Sequence, residues 1–373
     1  MMMSALDQAS RLRRCLLVIL ILNCPLVALA QTPDTSAALT SDQLATVIAR
    51  VRSERPPDPV RITEAQLVGF ELLGAARYED ALALFRAILD ALPSNQQALY
   101  GGALASFNLR RTGEAEQLAR AAVQAPAVNL SAKGAAVSAM GPAKNWRVES
   151  LTLLGVILAV KGDNTGALGA LTEAVALAPD NYDAQLALGR ARYGAGDPAG
   201  AALAFRAAVK LRPGDESARF FLATALERAS DNEGALAAYR ELLSTRPESA
   251  EGHLGLGVLL VKLGGEKTTE GIAELTRAIA LNGNLYEARI TLGRALLRAG
   301  RAQEALEHLQ RAVALAPDNP EPHYQLALAY RRLGRATEAE RENAIIKEIH
   351  SARRGNGTQS SPGVSSQDQD RRP

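Results

Sequence analysis

The sequence predicts an all-α fold, a solenoid of paired antiparallel helices, on three observations. A 34-residue step recurs along most of the chain: Pro179, Pro213 and Pro247 keep it, and after a two-residue slip it resumes from Gly283 to Pro317. Alanines keep the same step at Ala81 and Ala115, at Ala167, Ala201 and Ala235, and at Ala305 and Ala339, as do the glycine pairs Gly155 and Gly189, and Gly300 and Gly334. Self-similarity at this length marks a stacked helix-turn-helix array, in which each unit buries its apolar face only against its neighbours. Composition agrees, because alanine and leucine dominate and aromatics are only 4%, so the core is knit from small, helix-favouring side chains. The breakers agree as well: Gly196 supplies a left-handed cap at the end of a first helix, and Pro213 stops a second.

Residues 1–30 read as an export signal. Arg11, Arg13 and Arg14 form a positive n-region, Cys15 to Leu22 an apolar h-region, and Val27-Ala28-Leu29-Ala30 before Gln31 a small-residue cleavage site. The apolar stretch is short and broken by Asn23 and Pro25, so no stable membrane span is expected after cleavage; an uncleaved membrane anchor is the alternative. Both cysteines, Cys15 and Cys24, lie in this segment, which leaves the exported chain without a thiol nucleophile, a disulfide or a Cys-ligated metal. Cleavage also removes three arginines and one aspartate from 42 basic and 40 acidic residues, so the mature chain is neutral. A neutral body without a clustered basic stripe argues against nucleic acid as a partner.

Residues 31–61 hold a polar stretch, a leader helix with Leu44, Ile48 and Val51 on one side, and a Pro-rich hinge at Arg55-Pro56-Pro57. Residues 62–125 are two N-terminal repeat units: Leu67, Phe70 and Leu73 lie on one helix, Tyr78, Ala81 and Phe85 on the next, and the second unit has Ala103 where the first has Gly69. Residues 126–147 interrupt the register. They are rich in Ala, Gly, Ser and Pro, hold Trp146, and read as a hinge, a short irregular helix or a loop over one edge. Residues 148–350 form an array of about six units starting near Val148, Tyr182, Glu216, Ala250, Tyr286 and Pro320, with the slip placed in a lengthened turn at Gly264 to Glu270. Residues 351–373 are polar and read as a disordered tail.

In one unit, Tyr182 to Asp215, Gly189 is expected to let Ala201 of the second helix approach closely, and Phe205 and Ala208 to cover the joint to the next unit. These columns, repeated at Gly293, Gly300, Ala305, Leu309, Ala312 and Pro317, make the chain resemble the tetratricopeptide repeat family over about 62–350, most specifically over 148–340. The resemblance implies a right-handed superhelix whose concave wall, built from first helices, receives a segment of a partner protein. Some members grip a C-terminal carboxylate with Lys and Asn at set places of consecutive first helices, and that set is absent here.

No catalytic, cofactor-binding or metal-binding constellation is visible. Gly255-Leu256-Gly257 falls inside a helix, not in a phosphate loop, and the acids Glu149, Asp183, Glu251, Glu287 and Glu321 sit in first turns, where they complement the helix dipole. The histidines His253, His308, His323 and His350 show no metal-ligand spacing, although His253 and His323 share a column of the repeat.

Placing the first helices in register puts Leu186, Arg190, Tyr193, Phe220, Thr224, Glu227, Leu254, Val258, Val261, Ile290, Arg294, Leu297, Tyr324, Leu328 and Arg331 on or near the concave wall. Beside it runs a basic row, Arg228, Lys262, Arg298 and Arg332. An apolar wall set with arginines suits a protein or peptide segment, in particular an acidic one. The expected function is a non-enzymatic scaffold in the cell envelope or periplasm; the alternative is a regulatory or targeting subunit of a separate envelope enzyme, such as a glycosyltransferase or protease.

Overall fold

A computed structural model of the chain describes residues 40–53, 56–126 and 145–358, and these fold into seventeen helices with no strand among the described residues. The expected leader helix is α1 (Ser41–Ser53); it buries Leu44 and Val51 and packs on α2 (Pro59–Gly74) and α3 (Tyr78–Ala91). Helix pairs follow: α4 (Gln96–Asn108) with α5 (Thr112–Gln124), α6 (Trp146–Lys161) with α7 (Asn164–Leu177), and α8 (Tyr182–Gly194) with α9 (Pro198–Leu211). With α10 (Glu216–Arg228) they make one compact unit that ends at Ala229. A second unit begins at Ser230 and holds α11 (Asn232–Thr245), α12 (Ala250–Leu263) with α13 (Lys267–Leu281), α14 (Tyr286–Arg298) with α15 (Ala302–Leu315), and α16 (Pro320–Arg332) with α17 (Ala336–Thr358). In each unit a second helix also packs on the first helix of the next pair, so every helix face not turned to water finds an apolar neighbour.

Capping explains why the helices begin where they do. Asn95, Asn181, Asp215 and Ser249 each accept a backbone N–H three residues on, at 2.8–3.1 Å, at the entry to a first helix. Asp163, Asp197 and Asp231 do the same for second helices at 2.8–2.9 Å. Each such cap is worth about 1 kcal/mol of helix stability, which fixes the register at both ends of the turn.

The two-residue slip is not in the turn. Three residues separate α12 from α13, as three separate α8 from α9; instead α12 has 14 residues and α13 has 15, against 13 in α8 and 14 in α9. The extra residues extend existing hydrogen-bonded helices, which adds a backbone bond for each residue fixed, while Gly264 and Gly265, both at positive φ, carry the reversal between them.

The notch at Gly189 also differs from expectation. A Cβ there would stand 2.5 Å from Phe205 Cε1, so the glycine makes room for the Phe205 ring rather than for Ala201. Gly69 with Phe85, Gly155 with Leu171 and Gly293 with Leu309 repeat the arrangement. Where the second repeat has Ala103 in the glycine column, Ala119 stands in the column of Phe85, and the smaller residue leaves room for the methyl group.

The interruption does not break the stack. Residues 127–144 lie outside the described residues, but α6 packs on α4 and α5 as α4 packs on α2 and α3. The Trp146 ring stacks on Phe70 at 5.6 Å and lies 5.6 Å from Tyr100, which ties the start of α6 to α2 and α4. Lys161 pairs with Glu116, joining α6 to α5; with Arg120, it holds the Glu116 carboxyl below the ordinary range.

At the C-terminus, helix continues where a tail was expected. α17 runs to Thr358, so residues 351–358 are helical, and Arg353 Nη2 donates to the Asp318 carbonyl at 2.6 Å. Residues 359–373 and the expected export signal, residues 1–30, lie outside the described residues.

Candidate functional site

The first helices touch in sequence within each unit: α2, α4, α6 and α8 in the first, and α12, α14 and α16 in the second. Each therefore presents one edge to solvent as a row, which is the surface on which the candidate partner residues fall. The row has to be judged residue by residue, because the same helices also supply the core.

In the first unit the aromatic and basic residues bind each other. The Arg190 guanidinium lies 4.7 Å above the Phe221 ring, and Arg228 lies 4.8 Å above Tyr193. Phe220 and Phe221 meet edge to face at 6.1 Å, and Phe221 also packs 5.5 Å from Phe205. Phe221 was not singled out from the sequence, yet it connects the core ring Phe205 to the surface arginine. Arg190, Tyr193 and Phe220 are half-buried, so part of this patch is open to solvent. Leu186, by contrast, is only 2% exposed and belongs to the packing.

The second unit is more open. Leu254 and Val258 are half-buried on α12, and Tyr324 and Leu328 are 45% and 36% exposed on α16. Ile290 and Leu297 are 5% and 2% exposed, so they join the core between pairs and cannot meet a partner; Val261 is buried with them. Tyr324 shares the column of Ile290, but no further pair follows α16 and α17 among the described residues, and its half-exposed ring meets His350, 6.4 Å away between ring centroids and 3.1 Å from the hydroxyl to Nε2.

The basic residues divide in the same way. Arg332 Nη1 donates to the Leu297 carbonyl at the end of α14, and Arg294 stands 3.8 Å from Glu321, an ion pair too open to contribute much. Arg298 and Arg331 are exposed, and no ion pair of either is found among the described residues. These two exposed cations, one at the end of α14 and one near the end of α16, are what the second unit offers to an acidic segment.

A column below this face performs a different task. Gln185, Arg219, His253, Arg289 and His323 each donate to the carbonyl six residues earlier, at Pro179, Pro213, Pro247, Gly283 and Pro317, over 2.7–3.1 Å. These bonds satisfy loop carbonyls two residues past the end of the preceding helix and so hold the loop between pairs. His253 and His323 turn their other nitrogen, Nδ1, to Glu274 and Glu342 at 2.5 and 2.6 Å. The shared histidine column is therefore a loop clamp, and no group of three or more potential metal ligands occurs among the described residues.

The register, caps and helix pairing match a family model. A tetratricopeptide repeat model covers residues 71–129, 152–216 and 221–285, and a second TPR repeat model covers 293–334, together more than half of the chain. The chain belongs to the tetratricopeptide repeat family. Solved structures similar to this tetratricopeptide repeat protein include a MamA RS-1 double mutant, 18% identical over 47% of this chain and 97% of that one, with a TM-score of 0.44. YrrB, described as a TPR protein with an unusual peptide-binding site, is 21% identical over 49% of this chain and 93% of that one, with a TM-score of 0.42. TTC0263, a thermophilic TPR protein from Thermus thermophilus, is 24% identical over 49% of this chain and 99% of that one, with a TM-score of 0.39. No curated protein matches the chain. As a tetratricopeptide repeat array, the protein is a protein-protein interaction scaffold; no described helix is long and apolar enough to cross a membrane.

Proposed function

We propose that the protein is an exported, non-enzymatic scaffold that holds an acidic segment of a partner protein on its first-helix faces. The observation that carries this reading is the open face of the second unit, where Tyr324, Leu328 and Arg331 are exposed on α16 and Arg298 is exposed at the end of α14, with no ion pair of either arginine found among the described residues. Apolar area supplies affinity there, and the two guanidinium groups select a carboxylate-bearing guest and speed its encounter. The signal-like residues 1–30 support a site of action outside the cytoplasm, in the envelope or periplasm. A second reading, a targeting subunit for a separate envelope enzyme, uses the same surface and differs only in what the partner does.

The test is a double charge reversal, Arg298→Glu with Arg331→Glu, assayed against partners recovered from an envelope extract. Helical content and melting should stay nearly unchanged, within about 0.5 kcal/mol for exposed residues. Captured partners should be lost, and residual binding should weaken less with added salt. Equal capture with the same salt dependence would place the binding surface elsewhere.

A further inference from the structure

One loop between pairs is held less firmly than its counterparts. The loops before α4, α8, α10, α12 and α16 set a proline in one column, at Pro93, Pro179, Pro213, Pro247 and Pro317, and the loop between α13 and α14 has Gly283 there. Proline fixes φ, whereas glycine leaves the backbone its widest freedom. The cap is missing as well: α2, α4, α6, α8, α10, α12 and α16 each begin with a side chain that accepts a backbone N–H of the first turn, but Leu285, at the entry to α14, has no acceptor to offer. The turn bond is longer too, at 3.3 Å from Leu285 N to the Asn282 carbonyl, against 3.0–3.1 Å at the same place in the five proline loops. The remaining ties run through side chains: Arg289 Nε to the Gly283 carbonyl at 2.7 Å, Arg311 Nη2 to Asn284 Oδ1 at 3.2 Å, and Asn284 N to Asn282 Oδ1 at 3.1 Å.

This loop also carries an asparagine directly before its glycine, and both residues are exposed to water. An asparagine side chain is open to attack by the backbone nitrogen of the next residue where that nitrogen is unhindered and can reach Cγ. Gly283 places no side chain beside its nitrogen, and no hydrogen bond of its N–H is found among the described residues. The proline loops have neither an asparagine at this place nor an N–H after it. In the closed loop the two groups are kept apart. With the Asn282 ψ at 97°, its Cβ and Gly283 N lie on nearly opposite sides of the Cα–C bond, so attack needs a rotation that breaks the 3.3 Å turn bond.

We propose that Asn282 is a site of spontaneous self-modification, in which opening of the loop between α13 and α14 lets Gly283 N close a succinimide ring on the Asn282 side chain. Gly283 N bonds to Asn282 Cγ, the Cγ–Nδ2 bond breaks, and the Gly283 proton leaves with Nδ2 as ammonia. Water then adds to one ring carbonyl and splits its bond to the Gly283 nitrogen. Opening at Cγ leaves an aspartate at position 282; opening at the main-chain carbonyl leaves an isoaspartate, whose backbone runs through Cβ and is longer by one carbon. The longer path carries the Gly283 carbonyl away from Arg289 and undoes the clamp at this joint. The modification is independent of the partner-binding reading of the first-helix face.

The test keeps the purified full chain at mildly alkaline pH and samples it over time. Peptide mapping by mass spectrometry, which separates Asn282 from the Asn356-Gly357 pair, should find at position 282 the mass gain of an amide turned acid, and isoaspartyl methyltransferase should label the same peptide. Gly283→Pro restores the residue of the other loops, suits the extended Asn282 backbone before it, and should abolish both signals. Gly283→Val hinders the nitrogen and should slow them; a Cβ there would stand 3.6 Å from Arg289 Nη2, an ordinary contact, so one of the two variants remains informative if the other folds poorly. Hydrogen exchange on the fresh chain should find the Leu285 N–H less protected than that of Asn319. The aged chain should melt below the fresh one, whereas aged Asn282→Ser should melt as it did when fresh. No mass gain at 282 under conditions in which the free peptide spanning Leu281 to Leu285 reacts, a gain of the same rate in the Gly283 variants, a Leu285 amide as protected as that of Asn319, or unchanged melting of the aged chain would overturn the proposal.

Discussion

The Phe205 ring occupies the space in which Gly189 would carry a side chain, with Phe205 Cε1 2.5 Å from the position of a Cβ. Phe205 is almost fully buried, which contributes about 2–3 kcal/mol to stability, and it continues outward to Phe221 and Arg190. Gly189→Ala should push the ring off its site and cost about 1–3 kcal/mol. Denaturant melts check this. Ala201, fully buried in the same pair, should tolerate leucine no better, whereas Ala207→Leu, partly open to solvent on the same helix, should melt close to the parent. Equal melting of Ala201→Leu and Ala207→Leu would mean that the two faces of α9 have been exchanged.

The turns within pairs predict a gain of stability. The left-handed position is glycine at Gly162, Gly196, Gly300 and Gly334, but Ala76, Arg110 and Ser230 hold it at φ of 58°, 63° and 65°. A side chain in that conformation costs about 1 kcal/mol, so Ala76→Gly should stabilise the protein by about 0.5–1 kcal/mol after the entropy cost of glycine is subtracted. An unchanged or lower midpoint in urea would show that the left-handed turn carries no strain.

His308 predicts a pH effect on stability. Burial holds its pKa below the ordinary 6.5, with Arg289 acting in the same direction and Glu307 and Glu304 against it. The unfolded chain therefore binds the proton more readily, so this contribution is complete above pH 6.5 and is lost as the pH falls through the lowered value. Melts between pH 7 and 5 should show the parent losing stability faster than His308→Gln. Parallel curves would remove His308 from the account, and the exposed or partly exposed carboxylates Glu116, Glu304 and Glu338, whose pKa values are lowered, act only below 4.5.

Export is tested by N-terminal sequencing of the protein recovered from fractionated cells. A start at Gln31 outside the cytoplasm is expected; an intact Met1 on a cytosolic protein would contradict it.

Much of the fold was legible because stacking imposes columns. Trp146, Tyr182, Glu216, Ala250, Tyr286 and Pro320 begin first helices at or within two residues of where the 34-residue step placed them. Side-chain reach was not legible. Spacing put Leu186, Ile290 and Leu297 on the first-helix edge, but the neighbouring helix covers them, and it named Ala201 where the longer Phe205 fills the notch. It also placed Arg228 and Arg332 in a basic row beside the wall, where one lies on the Tyr193 ring and the other on the Leu297 carbonyl. The extra residues near Gly264 were assigned to the turn because glycines attract that reading, while helices lengthened by one residue each leave no mark in composition.

The central claim, that the first-helix face of the second unit receives the partner, is tested most directly by site-specific photo-crosslinking in intact cells. A photoreactive amino acid replaces Leu328 on that face or Leu203, which is 61% exposed on the second helix α9. Discrete crosslinked products are predicted from position 328, absent from position 203, and lost when Arg298→Glu and Arg331→Glu are added. The same products from both positions, or products from 328 that persist after the charge reversal, would contradict the claim.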